Sequence, residues 1–160
     1  MTDPNTERPK YALPENERRF LVEPQNCPRL DPATARRIED RYFPDTRLRL
    51  RKITRAAAPP IYKLCRKYES NDALTNLYLT ETEYRLLRAL SGDDIAKTRY
   101  THDGFAVDVF EAPHAGLIIA EIEAPTRAAL IAITPPGWVA REVTTDPNLT
   151  GAALAKRPPL

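Results

Sequence analysis

A chain of 160 residues is long enough for one domain with a single sizeable core. With 42% hydrophobic and 29% charged residues it has the composition of an ordinary soluble globular protein, and a formal net charge of +2 argues against a surface that binds nucleic acid throughout. No apolar run nears the length of a bilayer span, and the polar, acid-bearing start MTDPNTERPK does not read as a signal or transit peptide. A cytoplasmic protein is therefore expected, with neither membrane nor nucleic acid as a partner. Cys27 and Cys65, like His102 and His114, lack metal-ligand spacing and read as reduced thiols and surface loop histidines. Ser70 and Ser91 sit in no nucleophile elbow, and the five glycines build no phosphate-cradling loop, so any phosphate chemistry falls to side chains.

In chain order, residues 1–13 read as a flexible lead to a single domain over 14–157. The stretch Glu15–Val22 alternates as a strand, with Glu15, Glu17 and Arg19 on one face and Phe20 and Val22 on the other. A turn-rich stretch, EPQNCPRLDP, follows. Asp31 as cap and Pro32 at the first helical position predict a helix through ATARRIEDRYF, with Arg36, Arg37 and Arg41 facing solvent. DTRLRLRKI then alternates as a strand, placing Arg47, Arg49 and Arg51 together. AAAPP is a break. IYKLCRKYE alternates again with Lys63, Cys65 and Lys67 in phase, and DALTNLYL is a further strand candidate. Thr80 and Glu83 form a capping box that opens the helix TEYRLLRAL, which Gly92 ends. IAKTRYTH and FAVDVFEA flank Asp103-Gly104 as a hairpin with a two-residue turn. GLIIAEIEA alternates, with Ile119, Glu121 and Glu123 in phase. A short helix from Pro125, a strand over Trp138–Val143 and a terminal helix GAALAK complete the chain.

Charged residues thus line one face of five candidate strands: Glu15/Glu17/Arg19, Arg47/Arg49/Arg51, Lys63/Lys67, Lys97/Arg99 and Glu121/Glu123. A solvated face of an antiparallel sheet accounts for any one of them. The set is less ordinary, because acids concentrate in two strands and bases in three. Carboxylates can hold a divalent cation and bases can neutralise a polyanion; a phosphate chain bound with a metal needs both surfaces. Closing the sheet would put such a face inside.

The stretch ENERRFLV resembles the E-x-E-x-K signature of the CYTH superfamily, the triphosphate tunnel metalloenzymes. LRLRKI, YKLCRKY, KTRY, VDVFEAPHAGLIIAEIE and GWVAREVTTDPNL follow in matching order, from about Glu15 to Ala155. The resemblance implies an α+β fold: a closed antiparallel β-barrel of about eight strands, a tunnel, with helices packed outside. It implies Mg²⁺ or Mn²⁺ held by Glu15, Glu17, Glu121 and Glu123, and phosphates held by Arg19, Arg49, Arg51, Lys63, Lys97 and Arg99. Arg19, Lys63 and Lys97 stand at its catalytic positions. Asp108 and Glu142 match further acidic positions and either bind the metal or orient the bases.

The sequence departs from the signature at Arg19, where lysine is usual; at Leu74 and Asn76, where many relatives carry acids; and around Leu149 to Gly151. The implied activity is metal-dependent hydrolysis of inorganic triphosphate or a nucleoside triphosphate by in-line attack of water. Adenylate cyclisation, thiamine triphosphate hydrolysis, action on RNA 5′ ends and non-catalytic polyphosphate binding are the alternatives. The partner is a small phosphorylated molecule; a homodimer is left open. Trp138, Tyr42, Tyr78 and Tyr84 read as packing residues, Asp146 as a turn residue, and Lys67 as lying inside the tunnel or at its mouth.

Overall fold

A computed structural model of the chain describes residues 9–68 and 73–156. Residues 1–8, most of the expected lead, lie outside the described residues, as do Ser70 and Asp72. Among the described residues, ten strands form one mostly antiparallel sheet: β1 (Leu13–Pro14), β2 (Glu17–Leu21), β3 (Arg36–Tyr42), β4 (Leu48–Arg55), β5 (Ala58–Tyr68), β6 (Ala73–Leu79), β7 (Asp93–His102), β8 (Phe105–Phe110), β9 (Ile118–Glu123) and β10 (Arg141–Glu142). Their order is β1-β6-β5-β4-β3-β7-β8-β9-β2-β10. The ladder has two ends, so the expected closed ring is not met. The end strand β1 and the penultimate strand β2 are nonetheless separated by only Glu15 and Asn16. One extended segment therefore pairs with β6 at Leu13 and with β9 from Glu17.

The helix expected over Asp31–Phe43 is a correction. Asp31 does cap, accepting from the Ala33 amide, but only a 3₁₀ turn, Pro32–Thr34, follows. The next seven residues are β3, pairing with β4 on one side and β7 on the other. The stretch alternates Arg37, Glu39, Arg41 against Ile38, Asp40, Tyr42. Two flanking strands supply hydrogen bonds to its whole backbone, which outweighs a weak local helix preference.

The break expected at AAAPP is corrected, since β5 begins at Ala58 and runs through Pro59 and Pro60; other elements agree better. Asp103 and Gly104, both at positive φ, make the two-residue turn of the β7–β8 hairpin. Thr80 and Glu83 form the reciprocal capping box of α1 (Glu81–Arg88), which stops at Ala89, ahead of Gly92. Gly92 answers to packing instead, since a Cβ there would lie 2.5 Å from Arg41 Cγ. Thr126 caps α2 (Arg127–Ile131), and α3 spans Gly151–Lys156. The strand expected over Trp138–Val143 shrinks to the two residues of β10.

Apolar side chains cover both faces of β8, β9 and β2. On the outer face Phe20, Val22, Phe105, Val107, Ile118 and Ala120 pack beneath Ile133, Trp138 and Val139. On the face that carries the charges, Ile95, Phe110 and Ile119 pack with Val143, Leu149 and Leu154. The expectation that all helices lie outside is thereby corrected. The α1 helix sits on the outer face, with Tyr84 4.6 Å from Tyr62 between ring centroids. The α3 helix covers one end of the charged face. Leu154 is 1% exposed, and its replacement by alanine removes a buried aliphatic group where neighbours can collapse only partly. Leu154→Ala should lower unfolding free energy by about 2–5 kcal/mol in denaturant titration, against under ~1 kcal/mol for the exposed Leu86→Ala.

Candidate functional site

Strand register decides which charges meet. Arg51 stands opposite Asp40 on β3 and Lys63 on β5; Arg49 stands opposite Cys65. Across β3, Ile38 faces Lys97 and Arg36 faces Arg99. Arg99 faces Asp108 on β8, Ala106 faces Glu121 on β9, and Glu121 and Glu123 face Arg19 and Glu17 on β2. Because side chains alternate with period two, these residues share one face. The sequence expectation of acids and bases on separate strands is only partly met, since Asp40 stands between the basic strands β4 and β7, and Asp108 between β7 and the acidic β9.

Two ion-pair networks result. Arg51 donates to both oxygens of Asp40 at 2.7 Å, in the forked geometry of a bidentate pair, and Arg49 Nε lies 3.9 Å from the same carboxylate. Asp108, wholly buried, accepts from Lys97 and, at 2.6 and 2.7 Å, from Arg99. Arg99 also pairs with Glu121, which accepts from Arg19 Nε at 3.3 Å. At the sheet edge Lys67 pairs with Glu15 at 3.1 Å, which puts Lys67 at the rim.

These neighbours set the charge states. Burial opposes ionisation of Asp40, but Arg51, Arg49 and Lys97 outweigh it and hold the carboxyl below the usual range. Burial likewise opposes ionisation of Glu121, and Lys97, Arg99, Arg19 and Arg51 prevail, again downward. Glu17 moves the other way, to about 7, through burial first and then the charges of Glu121 and Glu15. Burial, with Arg51 and Arg49, pushes the Lys63 ammonium down.

Two cations are incompletely matched. Arg49 Nε is buried without a hydrogen-bond partner. Lys63 has no carboxylate within ion-pair distance among the described residues, and its ammonium lies 5.6 Å from the Tyr78 ring centroid. Tyr78 is 72% exposed, which corrects its reading as a packing residue.

Of the residues implied by the resemblance, Arg19, Arg49, Arg51, Lys63, Lys97, Arg99, Glu17, Glu121 and Glu123 share the charged face, and Glu15 joins at its rim. Glu142 does not. It is exposed and accepts from Arg18 at 2.8 and 3.1 Å on the outer side, which corrects its assignment to the site. Asp108 orients bases. Asp146 caps a 3₁₀ turn by accepting from the Asn148 amide. Asp40 was missed because the stretch was read as helix; its period-two alternation with Glu39 and Arg41 was the available signal.

Among the described residues no three His, Cys, Asp or Glu side chains converge on a shared ion position. The donor chemistry still fits a hard divalent cation, because the acids offer carboxylate oxygen alone. Burial is the first cause of the raised Glu17 pKa, and the charges of Glu121 and Glu15, which a cation would offset, add to it.

The chain is similar to an inorganic triphosphatase of Acetivibrio thermocellus, with 43% identity over 68 residues, 40% of this chain and 42% of that protein. The match thus spans less than half the length of that curated relative. It also resembles the crystal structure of the inorganic triphosphatase NE1496, with a TM-score of 0.60 and 28% identity over 92% of this chain and 97% of that one. A candidate adenylate cyclase of Bacillus halodurans shares the fold, with a TM-score of 0.53 and 14% identity over 76% of this chain and 86% of that one. No protein-family profile matches the chain. With the six ordered motifs, these likenesses bear out the resemblance to the CYTH superfamily.

The Asp40–Arg51 pair yields a stability prediction with a definite sign. Breaking a buried pair leaves an uncompensated charge, so Asp40→Asn should cost about 3–5 kcal/mol at pH 7. A carboxyl with a lowered folded pKa contributes stability that is full above its unfolded value, about 3.9, and is lost as pH falls through the folded value. The gap between parent and variant in chemical denaturation should therefore narrow below pH 4; a constant gap down to pH 2 would contradict the assignment.

Proposed function

We propose that the charged face binds a triphosphate chain and hydrolyses it, with inorganic triphosphate as the substrate. The observation that carries this reading is the pair of incompletely matched cations, Arg49 and Lys63, beside the neutralised Arg51–Asp40 pair and on the same face as the acids of β2 and β9. A face that merely solvates would pair its buried charges internally. This one retains positive charge next to cations already fixed in position by Asp40 and Asp108.

In this reading Arg49 and Lys63 take the phosphate oxygens first, with Lys97 and Arg99 beside them and Arg51 behind. Preorganised donors stabilise charge that develops on the transferred phosphoryl group, which is where such a site gains its rate. A lowered Lys63 pKa suits a group that gives a proton to a leaving phosphate oxygen. The Glu15, Glu17, Glu121 and Glu123 carboxylates would hold Mg²⁺ or Mn²⁺, which when bound neutralises phosphate oxygens and lowers the pKa of a coordinated water. The double pairing of the Leu13–Leu21 segment, with β6 and then with β9, supports a sheet that curls into a tunnel around this face. Among the described residues no helix is long and apolar enough to cross a membrane.

Tyr78 favours a second reading. An exposed ring beside Lys63 could stack on the organic part of a nucleoside or thiamine triphosphate.

Phosphate release from tripolyphosphate, ATP and thiamine triphosphate, with and without Mg²⁺ or Mn²⁺, separates the two readings. Arg49→Ala, Lys63→Ala, Glu17→Ala and Glu123→Ala should each lower kcat/KM about a hundredfold or more, as loss of a transition-state contact does. Equal turnover in parent and variants would defeat the assignment. Bound cation should also raise the melting temperature relative to EDTA, by mass action on the folded state.

A further inference from the structure

Arg19 is held differently from the other cations of the charged face. Its side chain is 8% exposed, and its guanidinium makes two contacts in different directions. Nε donates to Glu121 Oε1 at 3.3 Å, and Nη2 donates to the Leu149 carbonyl at 2.6 Å. Its backbone is fixed by the same part of the chain. The Arg19 amide donates to Thr144 Oγ1 at 3.0 Å, and its carbonyl accepts from the Val143 amide at 2.7 Å. Thr144 in turn donates to Glu142 at 2.7 Å, which grips Arg18 on the far side of the strand.

Leu149 precedes α3, the helix that covers one end of the charged face. Two other side chains seat that helix. His114, buried and not the surface histidine expected, has Nε2 2.8 Å from the Leu154 carbonyl, and Tyr42 packs so close to Gly151 that a Cβ there would stand 2.1 Å from its hydroxyl oxygen.

Resting on the reading of a triphosphate site, we propose that Arg19 is a positioning residue, not a phosphate ligand: its guanidinium ties the Glu121 carboxylate to the Leu149 carbonyl and so fixes the wall that α3 builds at the end of the charged face. Arginine suits this task because a planar fork can serve two acceptors in separate directions. A lysine at this position keeps the charge and offers one ammonium point, which can follow Glu121 or Leu149 but does not hold both in the same geometry. The consequence is specific. Loss of the fork should misplace Glu121 and loosen 149–154, while the phosphate contacts of Arg49 and Lys63 persist.

The test compares the parent with Arg19→Lys by hydrogen exchange of the Leu149–Leu154 amides and by steady-state kinetics with tripolyphosphate and Mg²⁺. The expected result is loss of amide protection, with kcat down about tenfold or more and KM within about twofold, the pattern of a group that does not bind the ground-state substrate. Retained protection with an increase confined to KM would make Arg19 a phosphate ligand and overturn the proposal. A second measurement needs no variant. Adding a non-hydrolysable methylene-bridged tripolyphosphate to the parent, with binding followed by calorimetry, should leave protection of 149–154 unchanged; a fall would show phosphate drawing Arg19 from Leu149 and would also overturn it. If the parent neither binds nor hydrolyses tripolyphosphate, the triphosphate reading fails, and the exchange comparison of parent and Arg19→Lys still decides whether Arg19 holds the wall.

Discussion

The constraint that governs this structure is the cost of burying cations on one face of a sheet. Arg51 and Arg99 lie where water is scarce, and an unpaired charge there costs several kcal/mol. Asp40, on the strand between them, and Asp108, on β8 beside the strand of Arg99, neutralise them with short, forked hydrogen bonds. Like charges directly opposite on neighbouring strands are unfavourable, as Arg51 and Lys63 are here. Interleaving an aspartate strand lets β4 and β7 carry bases while the ladder through β3 stays intact.

That interleaving also shapes what the face can do. Carboxylates aligned with their bases hold the guanidinium planes and the Lys97 ammonium in fixed directions, so a ligand meets an oriented array. The remaining positive charge concentrates on β4 and β5, where Arg49 and Lys63 are left incompletely matched. Carboxylates gather on β2 and β9, where burial first, and then the charges of Glu121 and Glu15, push the Glu17 pKa up to about 7. A polyanion and a divalent cation are the pair of ligands that would satisfy both ends at once.

The apolar part of the same face has a separate role. Ile95, Phe110 and Ile119 continue the strands that carry Lys97, Asp108 and Glu121, and they are covered by Leu149 and Leu154. The C-terminal segment is therefore part of the core and part of the site's boundary. Strands β8, β9 and β2, packed on both faces, give the carboxylates of β9 a rigid base, since closely packed interiors yield little.

Period-two alternation made β2, β4, β5, β7, β8 and β9 legible, together with the charged residues they align, because one buried face imposes that period on any sequence that forms such a strand. Turn and cap chemistry made the Asp103-Gly104 hairpin and the Thr80 cap legible, because those signals act within four residues. Alternation in β3 was outweighed by the Asp31-Pro32 cap signal, so Asp40 went unseen; Glu142 carries an acid in a matching position yet points to the other face. Order along the chain and the faces of those six strands were thus settled by the sequence alone. Which charges neutralise one another, which cations stay incompletely matched, and the placement of α3 over the charged face were decided only in three dimensions. Register between strands far apart in sequence sets those distances, and no local pattern encodes it.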